Sequence, residues 1–333
     1  MTTFAARYLS LEKETGGYGV EPSSTQTFGE IDDESFNPSF DVLYRNDMTK
    51  FTGSKQVFGK QTAEGSFNLP LQPDGFVLRC LHGVIGQHTK TDANNGTMSM
   101  TASSALPSFT FRVGRDTKEH TFTGQVVESI SVSASMGEYA MMSVSTMGKK
   151  ESAVGSLGSP TYAYAGDAAH FAAAFVNFEE LATDGDFASN VSSIDFEIKT
   201  NRDMDNSYGL GDETCTRAPP ITLVEITGSI TFNEAVHTAN NNSITFAEVQ
   251  DGHEQDGAAS TPAISVLFQV DSNNKLRFDF PHVVYEAPST NVSGRDSQTM
   301  SVPFTARLDP SDANMMLLTY VSSATDMNVD LDA

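Results

Sequence analysis

The chain has 333 residues and carries 43 Asp+Glu against 20 Lys+Arg, a formal charge of −23. That balance disfavours direct binding of duplex nucleic acid, because phosphate contacts need clustered Lys and Arg. With 22 Phe and 9 Tyr the chain also has too much apolar material to be disordered, and its length allows two hydrophobic cores. The acid is dispersed and forms no long like-charge block, and there are only ten lysines. This pattern favours a self-repelling, solubilising coat of the kind halophiles use over a calcium-binding array, which would show regular Asp spacings. Cys80 and Cys215 lie far apart and outside any CxxC spacing, so they read as two reduced cysteines. Residues 1–19 lack a basic n-region and an apolar h-region, and no apolar run approaches a membrane span. The expectation is a soluble protein made in the cytoplasm, with no membrane partner.

Residues 1–38 are polar and turn-rich, with Gly16, Gly17, Gly19, Pro22 and Pro38, and read as an extended N-terminal arm with one strand. A first β domain is expected over 39–150: a strand at 40–45, a polar loop at 46–63, a strand at 66–71 and a helix at 75–86. Phe76, Leu78 and Leu81 are spaced for one face of that helix. A loop at 87–105 follows, then strands at Phe109-Phe111-Val113 and Thr121-Phe122.

The clearest pattern comes next. Ile130, Val132, Ala134 and Met136 alternate with Ser129, Ser131, Ser133 and Ser135, and the return run sets Ala140, Met142 and Val144 against Ser143 and Ser145. A period of two puts the apolar set on one sheet face and the serines on the other, and Gly137-Glu138 supplies the turn of a long hairpin. Met141 is the one apolar residue on the serine face. A soluble domain usually covers an exposed strand face with Lys, Glu and Arg; a serine stripe suits a surface that something slides past.

Residues 151–181 read as a linker, Gly/Ser/Ala-rich at first, with an alanine-rich candidate helix at 167–181. The second β domain, 182–322, has alternating strands at Ile194-Phe196-Ile198, Val224 to Phe232, Ile264 to Val270, Leu276-Phe278-Phe280 and Val302 to Leu308, and residues 323–333 form an acidic tail. The halves share a grammar. Residues 41–48 resemble 197–204, Gly65-Ser66-Phe67 matches Gly228-Ser229-Ile230, a short helix is expected at 76–81 and at 245–249, and Pro107 and Pro262 each lead a strand. The fold class is therefore all-β with minor helix: two tandem, duplicated β-sandwich domains.

A search for chemistry finds none. His82, His88, His120, His170, His237, His253 and His282 form no HxH or HExxH group, and no GxSxG, GxxxxGK[ST] or GxGxxG occurs. Asp203-Met204-Asp205-Asn206 and Asp184-Gly185-Asp186 do not continue into an EF-hand loop and read as acidic turns. Sequons occur at Asn95, Asn190, Asn241 and Asn291. The expectation is no catalytic residue, no cofactor and no metal site.

The assembled pattern resembles the tail tube (major tail) proteins of long-tailed viruses. The resemblance rests on the run from Phe40 to the Gly65-Ser66-Phe67 strand entry, on 78–86 leading to Pro107-Ser108-Phe109-Thr110, and on Gly124 to Ser129 opening the hairpin. In the second half it rests on Thr227-Gly228-Ser229-Ile230-Thr231-Phe232 and Val302-Pro303-Phe304-Thr305-Ala306. The acidic composition further resembles proteins of viruses of halophilic archaea. The resemblance implies a virion structural protein, assembled in the host cytoplasm, whose strands join those of neighbours into a β-barrel around a lumen. It implies rings of six tube domains, hence three chains if each carries two, with a hexamer as the alternative. It further implies stacked rings, an enclosed tape-measure protein, tail terminator and baseplate partners, and DNA that passes without specific binding.

Ser129, Ser131, Ser133, Ser135, Ser143 and Ser145 would then line the lumen. The polar loops 46–63 and 201–220 would stack rings, with Thr52, Gly53, Lys55 and Lys60 on the first, and deletion of 52–60 is expected to leave folded subunits that do not stack. An adhesin or baseplate hub is the alternative virion role, and a glycosidase with dispersed carboxylates the enzymatic one.

Overall fold

A computed structural model describes residues 7–23, 26–45, 48–49, 55–92, 94–101, 105–178, 191–233, 263–286, 289–291, 299–308 and 314–324. The first half contains β1 (Tyr8–Lys13), β2 (Thr27–Gly29), β3 (Asp33–Glu34), β4 (Asn37–Arg45) and β5 (Lys55–Pro70). Helix α1 (Gly75–Ile85) follows, then β6 (Gln87–Lys90), β7 (Asn95–Thr101), β8 (Phe109–Arg115), β9 (Lys118–Ser135), β10 (Met141–Gly148) and β11 (Lys150–Ser156). The second half contains β12 (Ala174–Phe178), β13 (Val191–Lys199), β14 (Glu225–Phe232), β15 (Ile264–Asp271) and β16 (Asn274–Phe280). It ends with β17 (Val283–Tyr285), β18 (Ser289–Asn291), β19 (Thr299–Ala306) and β20 (Asn314–Val321).

These strands form two sheets, so the all-β class with minor helix holds. The large sheet runs β17-β19-β14-β13-β9-β10-β5-β3, with β4 along the outer side of β5; the smaller runs β12-β15-β16-β20-β7-β6. Both sheets take strands from both halves of the chain, and β9 meets β13 over seven register pairs from Ser129↔Lys199 to Ser135↔Ser193. The sheets bury their apolar faces against each other: Phe196 of the large sheet lies 5.1 Å from Phe278 and 5.3 Å from Phe280 of the small one, ring to ring. Each such fully buried Phe contributes on the order of 1.5–3 kcal/mol.

Helix α1 closes the core beside the first-half strands. Asp74 caps it by accepting from the Val77 amide at 2.7 Å, and Gly86 at φ 93° ends it. The expected single apolar face is an understatement, since all eleven residues of the helix are buried. At Gly83 a Cβ would come within 2.6 Å of Val127 and 2.9 Å of Phe109, so only glycine lets the helix approach β9 so closely.

Several stretches read as loop are strand. Residues 55–63, within the loop expected at 46–63, form the first half of β5 and pair with β4 from Lys55↔Arg45 to Ala63↔Pro38. The loop expected at 87–105 contains β6 and β7, and the Gly/Ser-rich 150–156 is β11, paired with β9. In each case a cross-strand partner supplies the hydrogen bonds that composition alone does not reveal. Residues 7–38 also go beyond an extended arm: β1 lies between β2 and β8, and Leu9 and Leu11 are in the core. The helix expected at 167–181 is, over its described part, a single 3-10 turn (Phe171–Ala173) followed by β12, which is held by pairing with β15. Met136 is exposed, because β9 ends at Ser135 and the turn carries it off the buried face. The helix expected at 245–249, the sequons at Asn190 and Asn241, and residues 325–333 lie outside the described residues.

Candidate functional site

The hairpin of β9 and β10 forms with the register its alternation requires. Val132 pairs with Met142 and Ile130 with Val144, all buried, so Ser131 falls opposite Ser143 and Ser129 opposite Ser145 on the other face. Ser133 faces Met141, and Ser135 faces Ser193 of β13. All six serines stand on the side of the large sheet away from the core, Ser133 exposed and the others half-buried by their neighbours.

The face is much wider than this hairpin. On β5 the residues beside Ser145 and Ser143 are Ser66 and Asn68. On β13, Asp195, Glu197 and Lys199 stand beside Ser133, Ser131 and Ser129. On β14 the next positions are Ser229, Thr227 and Glu225, and on β19 Thr305 pairs with Thr227 and Ser301 with Thr231. Six adjacent strands thus present one continuous face, roughly 24 Å wide at the usual strand spacing, lined by hydroxyls and carrying no aromatic side chain at these positions. The alternation at 193–199 and 227–231 carried the signal for this extension; pairing β13 with β9 needed the tertiary structure.

The charges on this face are sparse and mostly negative. Lys199 Nζ lies 2.9 Å from Glu197 Oε2, and that hydrogen bond raises the lysine pKa. Glu225 accepts from Asn201 Nδ2 at 2.8 Å, and the Ser229 hydroxyl donates to Asp195 at 2.8 Å. Asn68 donates to Asp33 at the far edge. At these described positions the one cation, Lys199, is paired to a carboxylate. Among the described residues no group of three or more His, Cys, Asp or Glu is placed to hold a metal ion. The Asn95 side chain donates to Asp92 Oδ2 at 2.8 Å, occupied in a turn contact and not presented to solvent as a free amide.

In the second predicted feature, the 46–63 segment, residues 55–63 are strand and pair with β4 in a hairpin that projects from one end of the sheet. Where β10 stops, at Gly148 opposite Ala63, β4 and β5 continue together to Arg45 and Lys55. Their side chains here are exposed and include Phe40, Leu43, Tyr44, Val57 and Phe58, with the Phe40 and Phe58 rings 5.8 Å apart edge to face. Lys55 and Lys60 lie on this hairpin; Thr52 and Gly53 lie outside the described residues. The other predicted loop, 201–220, props its base. Lys60 pairs with Asp205 at 2.7 Å and sits 4.7 Å from the Tyr208 ring centroid. The Gln61 amide N–H donates to Glu213 O at 2.7 Å, and the Tyr208 hydroxyl donates to Gln61 O at 3.0 Å.

A hydroxyl-lined sheet face thus stands beside a hairpin with exposed apolar side chains. A family model described as phage tail tube protein matches residues 5–306. The chain belongs to that family. No curated protein matches it. This tail tube protein is therefore a structural component of the virion tail that assembles into a tube. The match spans β1 to β19 and so covers the hydroxyl face, the projecting hairpin and the helix in one unit.

Proposed function

We propose that this tail tube protein is a double-unit subunit, three copies of which close a pseudo-sixfold ring around a lumen lined by the hydroxyl face. The observation that carries this is a repeat in the large sheet. Reading across it, β17, β19, β14, β13 are followed by β9, β10, β5 and then β4, which shares the outer side of β5 with the two-residue β3, and every adjacent pair is antiparallel. The two quartets therefore run in the same sequence of directions. Their chain orders also correspond: β4, β5, β9, β10 against β13, β14, β17, β19. Two such units related by rotation, with β13 of one joined to β9 of the other, form one arc of a ring. The β4 edge of one chain would then meet the β17 edge of the next, removing both open edges. Pro303 on β19 suits a strand near such an edge.

In this reading the halves are tandem tube units and Ser129, Ser131, Ser133, Ser135, Ser143 and Ser145 face the lumen. The hairpin bearing Lys55 and Lys60 contacts the next ring, and Thr52 and Gly53 belong to the same stacking segment. A tape-measure protein occupies the lumen during assembly in the host cytoplasm, terminator and baseplate proteins cap the ends, and DNA later passes without specific binding. The role is structural and not enzymatic. The −23 charge supports a host with a salty cytoplasm, a halophilic archaeon.

Electron microscopy of the purified protein at high salt, with mass photometry of the same sample, tests the reading. Hollow tubes or rings with the mass of three chains are expected. Rings of six chains would mean that the second half decorates the outside. Persistent monomers, even with a tail initiator present, would refute a tube-forming subunit.

A further inference from the structure

The two ends of the large sheet differ in shape, polarity and charge. At one end the β4–β5 hairpin projects with Leu43, Tyr44, Val57 and Phe58 exposed, and Arg45 lies directly opposite Lys55. Two cations facing each other are unusual in a chain of net charge −23, since like charges across a strand pair destabilise it. The other end is formed by the turn between β9 and β10 and by the 3-10 turn, joined through the Tyr139↔His170 bridge and the Phe171 N–H donating to Glu138 O at 2.9 Å. Here Met136 is 65% and Tyr139 60% exposed. Met136 and Phe171 rim an open recess of about 170 Å³ floored by Ala134, Val176 and Ile194. Two exposed acids lie at this end among the described residues: Glu138, whose carbonyl meets the Phe171 N–H, and Asp167, three residues before His170.

We propose that the recess is the receptor for the hairpin of a second copy, so that successive rings dock head to tail with Arg45 and Lys55 against Glu138 and Asp167. The inference rests on the tube reading above and adds the receiving surface. A contact between two different patches of the same chain, placed at opposite ends of the same strands, does not close on itself and propagates as an open stack. It also answers an electrostatic difficulty. Copies of net charge −23 repel, and a cation-tipped projection entering an acidic end places attraction where the copies approach most closely. The apolar side chains on both sides then keep the contact when salt screens the charges.

Both native cysteines are buried, so introduced ones can be addressed selectively. Tubes of the double variant Val57→Cys/Tyr139→Cys, treated with a short bis-maleimide, should give a ladder of covalent multimers extending beyond one ring, whereas either single variant should give none. Tubes of the double variant that form without a ladder, or with links confined to single rings, would overturn the proposal and leave the tube reading intact. Absence of any tube or ring from the unmodified protein would instead remove the reading beneath it. Should the cysteine pair impair assembly, charge reversal decides. Arg45→Glu/Lys55→Glu should lower tube yield by ~10-fold or more at moderate salt, and adding Glu138→Lys/Asp167→Lys should restore it. A yield unchanged by the first pair, or unrestored by the second, would overturn the proposal.

Discussion

Glu14 is the single residue on which most of the N-terminal organisation turns. Its buried carboxylate accepts from the Gly19 and Gly124 amides, both at 2.7 Å, and from the hydroxyls of Ser108 at 2.7 Å and Thr110 at 2.9 Å. One side chain thereby ties the turn after β1 to β8 and β9. Glu14→Ala leaves four donors without their acceptor and should lower unfolding free energy by about 3 kcal/mol or more in urea titration, with Glu14→Gln losing less. Tyr8 offers a pH signature. Burial first, and then its hydrogen bond to Glu119, push its pKa up from 10.0 to about 12. A pKa raised on folding means that the protonated tyrosine stabilises the native state fully below pH 10.0 and that this contribution is lost as pH rises through about 12. Tyr8→Phe also deletes the bond from the Gly158 amide at 2.6 Å. It should cost about 1 kcal/mol at neutral pH and then lose less stability than the wild type across the alkaline window, read by thermal melts at stepped pH.

At the scale of elements the β4–β5 hairpin is the part whose assembly role separates most cleanly from folding. Deletion of 52–60 is a poor test, because it would remove Lys55 to Lys60 from β5 and with them the contacts to Asp205 and Tyr208. A better change replaces 43–57 with Asn-Gly, closing a two-residue turn beyond the Val42↔Phe58 pair. Every described residue removed is exposed, so stability should stay within about 1 kcal/mol of wild type while tubes are lost. Normal-length tubes from this variant would deny the hairpin a stacking role. The β9–β10 hairpin was legible residue by residue, since alternation of serine with Ile, Val and Met excludes any one-residue slip and the Gly137-Glu138 turn sets the pairing. The outer half of β5 was not: Lys55, Gln56, Gly59, Lys60 and Gln61 have loop composition, and only β4 alongside makes them a strand.

At the scale of the molecule, −23 charge per chain makes assembly a matter of screening. The Debye length falls from about 30 Å at 0.01 M salt to about 3 Å at 1 M, so repulsion between whole subunits should vanish while contacts at the hairpin persist. Light scattering across that range should show the critical concentration for tube formation falling as salt rises; a rise would mean that attractive ion pairs, and not repulsion, set assembly. The hydroxyl face changes little over the same range, because its Lys199–Glu197 pair is internal to one strand.

Several features followed from the order of residues alone. The two-residue period around Ser129 to Ser145 dictated a hairpin with a serine face, and the spacing of Phe76, Leu78 and Leu81 placed a helix at 75–86. The acidic excess weighed against direct nucleic-acid binding, and no catalytic or metal-ligand motif was legible. These are local properties, carried by periodicity, capping and composition, and they need no partner strand to be read. What only the tertiary structure decided is which strands lie side by side. That β13 runs beside β9 widens a six-serine stripe into a face six strands across, and that β4 stands beside the polar half of β5 turns an expected loop into a projecting hairpin propped by Asp205, Tyr208 and Glu213. Strand neighbours are fixed by non-local hydrogen bonds and by burial of one shared core, and no window of sequence contains both partners.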